Sequence, residues 1–312
     1  MRARLAVGVV SVAATLLLAS FLIFVALSVL PGDPAQILLG IDADPRAVAA
    51  LRTELGLDEP VLVRFGRWLG GILVGDFGVS ATYAVPVSTL LVERMAVSVP
   101  LAGLALLLSV ALALPAALLA AAQRDKAGDR LVRAVAEVGL AVPNVWLGLM
   151  LIFLFAVTLG LAPAGGFPGW NDPFAALRAL ALPAVALGLP QAAILTRVAR
   201  AAIVEAMDED YVALARAKGL ALGAAIRRHA LPNAWPPILT VIGLQFGFLV
   251  AGAAVIETVF SLPGLGRLLF QAVAQRDILV VEAVVLVLVA TVIVVNALAD
   301  GLAAALDPRR TA

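Results

Sequence analysis

Residues Glu205 to Pro232 read EAMDEDYVALARAKGLALGAAIRRHALP, an island of charge between two long uncharged runs. The pattern is helical on both sides of one break. Met207, Tyr211 and Leu214 share a helical face with Val212 and Ala215 beside it. Glu205, Asp208 and Glu209 fall in the N-terminal half, Arg216 and Lys218 in the C-terminal half. That charge order suits the helix dipole. Gly219 then permits a left-handed turn, and a second short helix, Leu222 to Ala230, leads to Leu231-Pro232 at the head of the next apolar run. The small side chains Ala213, Ala215 and Ala217 allow a partner to approach closely. Composition leaves two readings of the island open: a docking loop, or an amphipathic helix on the lipid headgroups with Arg216, Lys218, Arg227 and Arg228 as its basic face.

The flanking sequence sets the solvent. Hydrophobic residues make up 63% of the 312 and charged residues 14%. The uncharged runs recur at lengths that cross a hydrocarbon core of roughly 30 Å. One soluble domain cannot shield so many continuous apolar runs. The fold class is therefore an all-α polytopic membrane protein. Six spans are expected: Leu5 to Leu30, Ala96 to Ala122, Val138 to Leu161, Ala179 to Thr196, Ala234 to Ile256 and Ile278 to Ala299. The first exceeds a signal-peptide apolar core and lacks a small-residue cleavage site before Pro31, so it reads as a retained helix. The fourth carries Pro183, Gly188 and Pro190, breaks that are tolerated in a bundle interior. A net charge of +1 offers no basic field for nucleic acid, and the absence of cysteine excludes disulfides and thiolate metal sites.

Basic residues set the orientation. With the N-terminus inside, they divide 14 to 8 in favour of the cytoplasm, and five of the eight lie in one long segment that the positive-inside rule discounts. Both termini and the 205–232 island are expected to be cytoplasmic, in a bacterial plasma membrane protein. The organisation follows: residues 1–30 as the N-terminal span, 31–94 as an extracytoplasmic helical segment, 95–303 as a five-helix membrane domain containing the island, and 304–312 as a cytoplasmic tail. Within the outside segment, Asp44-Pro45 offers an N-cap and a proline at the first helical position, Arg46 to Leu55 carries helix formers, and Gly56 stands where a C′ residue belongs. A second helix is expected from Pro60 to Leu73. Its stripe Val61, Phe65, Trp68 and Ile72 serves to pack the segment against membrane helices.

No catalytic set is present. The sequence has no G-x-x-x-x-G-K-[ST] phosphate loop, no H-E-x-x-H and no G-x-S-x-G, and its single histidine, His229, reads as a polar loop residue. Glu282 and Asp300 lie near the ends of the sixth span, where water or headgroups are expected to reach them.

The island resembles the cytoplasmic loop of permease subunits of ATP-binding-cassette importers, whose general pattern is E-A-A, three residues, Gly, nine residues, I-x-L-P. Here Ala213-Leu214-Ala215, Gly219 and His229-Ala230-Leu231-Pro232 fall in that register, with Ala213 in place of the acidic residue and His229 in place of isoleucine. Both departures match the dipeptide and oligopeptide branch, whose loop reads D-Y-V-x-x-A-R-A-K-G-L and then R-H-A-L. This chain has Asp210-Tyr211-Val212, Ala215-Arg216-Ala217-Lys218-Gly219-Leu220 and Arg228-His229-Ala230-Leu231. Leu30-Pro31-Gly32-Asp33-Pro34, Glu54-Leu55-Gly56-Leu57-Asp58, Arg67-Trp68-Leu69, Gly75-Asp76-Phe77-Gly78, the run Glu257 to Gly266, and Leu306-Asp307-Pro308-Arg309 look like the same branch. The whole chain most resembles the first of the two permeases in such systems.

The resemblance implies a type I importer permease fold and a division of labour. A homologous second permease supplies the other half of the pore, two cytoplasmic ATPase subunits engage the coupling loops, and an extracytoplasmic solute-binding protein delivers solute. The coupling-loop residues it implies are Asp210, Tyr211, Ala213, Ala215, Arg216, Ala217, Lys218, Gly219, Leu231 and Pro232. ATP and magnesium belong to the ATPase partners, and this chain is expected to bind no cofactor or metal. Peptides lead as solute; nickel, glutathione, opines and oligosaccharides are carried by relatives of the same branch. A stand-alone secondary transporter needs a buried coupling-ion site or an inverted repeat, and the sequence shows neither. Pro190 and Gln245 are candidate pore-lining residues. Gln245, a lone amide in mid-membrane, reads as a hydrogen bond to a neighbouring helix slightly ahead of a substrate contact.

Overall fold

The computed structural model describes residues 2–28, 36, 39–40, 43–54 and 56–306. The Leu30–Pro34 motif, Val29, Leu55 and residues 307–312 lie outside them. Helices follow in the order α1 (Arg2–Ser28), α2 (Pro45–Glu54), α3 (Val61–Leu73), α4 (Val87–Ala122), α5 (Ala127–Ala141), α6 (Asn144–Leu151, continued as a π-helical segment Ile152–Thr158), α7 (Pro173–Met207), α8 (Asp210–Ala217), α9 (Leu222–Ala225, continued as π-helix Ile226–Ala230), α10 (Leu231–Val259), α11 (Leu265–Gln275) and α12 (Ile278–Leu306). Among the described residues the only extended pairing is one bridge, Val79 with Pro86. Five helices are long and apolar enough to cross a membrane, and a sixth crossing results if α5 and α6 form one span.

Two spans differ from expectation. The third is not a straight helix over Val138 to Leu161: α5 and α6 meet at a 95° bend. Pro143 is the cause, since it has no N–H to continue the ladder and holds the residue before it extended, as seen in Val142 at ψ 119°. The fourth span is longer than Ala179 to Thr196 and is not broken at its prolines. Helix α7 runs through Pro183 and Pro190, both buried, and starts where the Asp172 side chain accepts the Ala175 N–H at 3.0 Å with Pro173 at the first turn.

The chain forms two compact units. The first takes Met1–Val97 and Gly264–Ile293. Its core joins Val87, Leu90 and Leu91 of α4 to Leu265, Leu268 and Ala272 of α11 and to Val280, Val281 and Val284 of α12. Both helices expected between residues 44 and 73 form. Asp44 accepts the Arg46 N–H at 2.9 Å, and Gly56, at φ +65°, closes α2 with N–H bonds from Gly56 to Thr53 O and from Leu57 to Arg52 O. Phe65 and Trp68 of α3 pack on Phe21 and Phe24 of α1, with ring centroids 5.2 to 5.7 Å apart. Asp277 stitches the 80–82 turn to the start of α12, accepting from Ser80 Oγ at 2.5 Å and Thr82 N–H at 3.1 Å. Glu282 departs from expectation: it is buried rather than wet, close to Trp68 and Arg64. A membrane-level carboxyl group needs such partners once burial removes water.

The second unit takes Ser98–Pro263 and Val294–Ala312. Helix α7 is its axis, buried along most of its length among α4, α6 and α10. Small residues allow the approach. A Cβ on Gly188 would stand 2.7 Å from the Ala105 carbonyl oxygen, and one on Gly243 would stand 2.6 Å from the Ala299 Cβ. Without a hydrophobic drive between helices in lipid, such close backbone contact supplies the packing energy.

Candidate functional site

The two-helix island forms within this unit. Helix α8 covers Asp210–Ala217, with Asp210 in its first turn and Arg216 in its last. It ends in a Schellman motif: Gly219 N–H bonds to Arg216 O at 2.9 Å and Leu220 N–H to Ala215 O at 3.2 Å, with Gly219 at φ +91°. No atom lies within 4 Å of a Cβ placed on Gly219, so backbone angle rather than space demands glycine there. Tyr211, Ala213, Leu214, Arg216, Ala217, Lys218 and Gly219 are exposed, Asp210 also, while Ala215 is half-buried.

The exposed face stands on a buried base. Val212, Ala225, Ile226 and Ala230 are buried. Ile226 and Ala230 join Leu195, Ala199, Ile203 and Ala206 of α7 and Ala113, Ala117 and Ala121 of α4 in one apolar cluster. Leu231 and Pro232 are half-buried at the first turn of α10, so α9 passes into α10 with no intervening loop. The π-helical turn between them realigns the last residues of the island with the membrane helix. Helix α8 is thus joined to the membrane helices through packed, helical residues.

Ion pairs that sequence reading missed hold the entrance of the island. Arg200 of α7 grips Asp129 of α5 through two bonds, Nε to Oδ1 at 2.5 Å and Nη2 to Oδ2 at 2.6 Å. Asp129 also accepts the Asp125 N–H at 3.0 Å, and Arg133 lies 3.6 Å away. Arg124 donates to Asp208 at 2.6 Å, and that bond raises the Arg124 pKa above its ordinary value. Both Arg124 and Asp208 are exposed, so their bond orients more than it stabilises. In the sequence these arginines served only as topology markers. The available signal was an acidic residue three places into a helix, opposite a basic residue on an apolar one.

Pro190 and Gln245 are both buried inside this one chain. Gln245 is 2% exposed and donates its amide N–H to the Gln191 backbone carbonyl at 2.8 Å. Its Oε1, with Gln191 Oε1 and Ser109 Oγ, has no hydrogen-bond partner among the described residues. The geometry joins Gln245 to α7.

Apolar spans around a buried axis, with a two-helix loop turned by a left-handed glycine, describe a polytopic helical membrane protein. The chain belongs to the family of binding-protein-dependent transport system inner membrane components, whose model matches residues 113–312; the N-terminal model of the same membrane components matches residues 2–102. A peptide transport system permease protein of Brucella abortus (strain 2308) is 40% identical over 295 residues, 94% of either chain. The glutathione transport system permease protein GsiC of Escherichia coli (strain K12) is 37% identical over 294 residues, again 94% of each. Among solved structures, the inward-facing MetNI methionine ABC transporter matches with a TM-score of 0.59 at 21% identity, over 70% of this chain and 96% of that one. An amino acid ABC transporter structure with histidines matches at 0.52 and 20% identity, over 71% and 94%. The fold is that of importer transmembrane subunits, and the chain is a multi-pass membrane subunit of a binding-protein-dependent ABC importer.

Proposed function

We propose that this chain forms half of the pore of an ATP-driven importer of di- and oligopeptides, with the α8–Gly219–α9 loop as the surface on which a cytoplasmic ATPase subunit acts. The observation that carries the coupling role is the contrast within the loop. Ala213, Leu214, Arg216, Ala217 and Lys218 are exposed, while Ile226 and Ala230 lock the same loop into the core cluster of α4 and α7. A lipid-lying helix has no need of that anchorage. The second half of the pore is a homologous permease, two ATPases carry the nucleotide and magnesium, and an extracytoplasmic protein delivers solute. This chain holds no phosphate loop and contributes no hydrolytic residue. Both termini and the loop face the cytoplasm, following the distribution of basic residues. The peptide assignment is supported by the relative of highest identity named above.

The test is Gly219→Val. At φ +91° a β-branched residue is strained by about 1–3 kcal/mol, and the Schellman turn must open to relieve it. Membrane insertion is expected to persist while copurification of the ATPase subunits and uptake both fall. Gly219→Ala should give an intermediate loss. Transport by the valine variant at the parental rate would remove Gly219 from the coupling path. Peptide binding by the cognate solute-binding protein, measured by calorimetry, decides the solute class.

A further inference from the structure

The face of α3 that does not pack on the rest of its unit has a defined chemistry. At about 100° per residue, Leu62, Leu69 and Leu73 fall in one stripe roughly 40° wide. Arg64 and Arg67, the only charged residues of the helix, fall on the opposite side. Phe65, Trp68 and Ile72 form a third face about 90° from the leucine stripe, and Phe65 and Trp68 of that face meet Phe21 and Phe24 of α1. Leu62 and Leu73 are 71% and 79% exposed. On the arginine side, Arg67 binds Glu59 at 2.6 Å with its side chain more than half exposed.

Two contacts fix the depth of this helix. Phe24, whose ring lies 5.4 Å from that of Trp68, is four residues inside the described end of α1 at Ser28, about 6 Å by helical rise. Glu282, close to Trp68, lies four residues inside the start of α12 at Ile278, about 6 Å. Both place Trp68 below the edge of the hydrocarbon, within the 5–10 Å layer that interfacial helices occupy. With 13 residues, α3 is about 20 Å long, too short to span. Its aromatic face is taken by α1, Arg64 lies inward over the Phe24 ring at 5.7 Å and close to Glu282, and Arg67 pairs with Glu59 toward water.

From this depth and three-sided pattern we infer that α3 is embedded in the phospholipid interface, its Leu62–Leu69–Leu73 stripe against acyl chains and Arg67 toward the headgroups. The immersion stands on α1 and α12 alone; only the choice of the outer leaflet rests on the proposed orientation. Held at Trp68 by both spans, α3 is a lipid-facing brace at the mouth of its unit.

The chain has no cysteine, so Leu62→Cys, Leu73→Cys and, as a water-exposed reference on α2, Ala50→Cys can each carry one bimane probe. The assembled transporter is reconstituted in phosphatidylethanolamine and phosphatidylglycerol vesicles, with or without phospholipid brominated near the headgroup end of its chains. Probes at 62 and 73 are expected to lose about half their intensity in brominated vesicles and to resist iodide, while the probe at 50 shows the reverse. Iodide quenching at 62 and 73 equal to that at 50, with no bromine effect, would overturn the inference. So would shielding that appears only after the solute-binding protein is added, which would assign the stripe to that protein. An iodide response at 50 confined to the cytoplasmic side would instead refute the orientation and leave immersion to the bromine result.

Discussion

Replacing Arg200 by methionine is expected to be among the most damaging single changes to the end of the bundle that carries the 205–232 loop. Asp129 is 0% exposed, and Arg200 supplies two of its short bonds. Arg200→Met leaves the carboxylate with the Asp125 N–H at 3.0 Å and Arg133 at 3.6 Å, the latter half in solvent. Breaking a buried ion pair from one side costs about 3–5 kcal/mol. The Arg200 side chain is 18% exposed and Arg133 can swing closer, so about 2–3 kcal/mol is the expected loss. Asp129→Leu should cost less, about 1–2 kcal/mol, because a freed guanidinium reaches water on its long stem. The double variant Asp129→Leu with Arg200→Met removes both charges and should return to within about 1 kcal/mol of the parent. The assay is reversible unfolding in mixed micelles with rising dodecyl sulfate, followed by tryptophan fluorescence, read as a double-mutant cycle with a coupling of about 2 kcal/mol. Parental stability of Arg200→Met, or a double variant no better than the worse single one, would refute the reasoning.

Cysteine introduced at Ala50 should react with an impermeant thiol reagent from outside the cell, and cysteine at Ala221 only after permeabilisation; labelling of both from one side contradicts the six-span orientation. Gly188→Ala forces a Cβ to 2.7 Å from the Ala105 carbonyl and should lower stability by about 1–3 kcal/mol in the same micelle assay, whereas Gly223→Ala, at an open site, should not. Gln245→Trp must displace α7 from a position that is 2% exposed, so the yield of assembled, monodisperse complex should collapse together with transport; intact assembly with lost transport would put Gln245 on the solute path instead.

Much of the island was legible because local chemistry governs it. Charge order along α8, a glycine at the C′ position and leucine-proline at the head of α10 are short-range signals, and the Schellman bonds at Gly219 realise them. The Asp44-Pro45 start of α2 was legible for the same reason. The identical Asp172-Pro173 signal was passed over, and α7 was read too short, because Arg178, Arg197 and Arg200 interrupt its apolar run. Charges at those positions break a hydropathy window without breaking a helix.

By itself, the sequence determined the solvent, the all-helical class, the crossing regions and the shape of the 205–232 loop, since each depends on length, periodicity or a cap within a few residues. Only the tertiary structure decided which charges are structural and where the spans bend. Asp129 finds Arg200 seventy-one residues away, and Gln245 finds the Gln191 carbonyl. In lipid a polar group must be satisfied by another part of the protein, and which part lies within 3 Å is set by helix packing, not by neighbours along the chain.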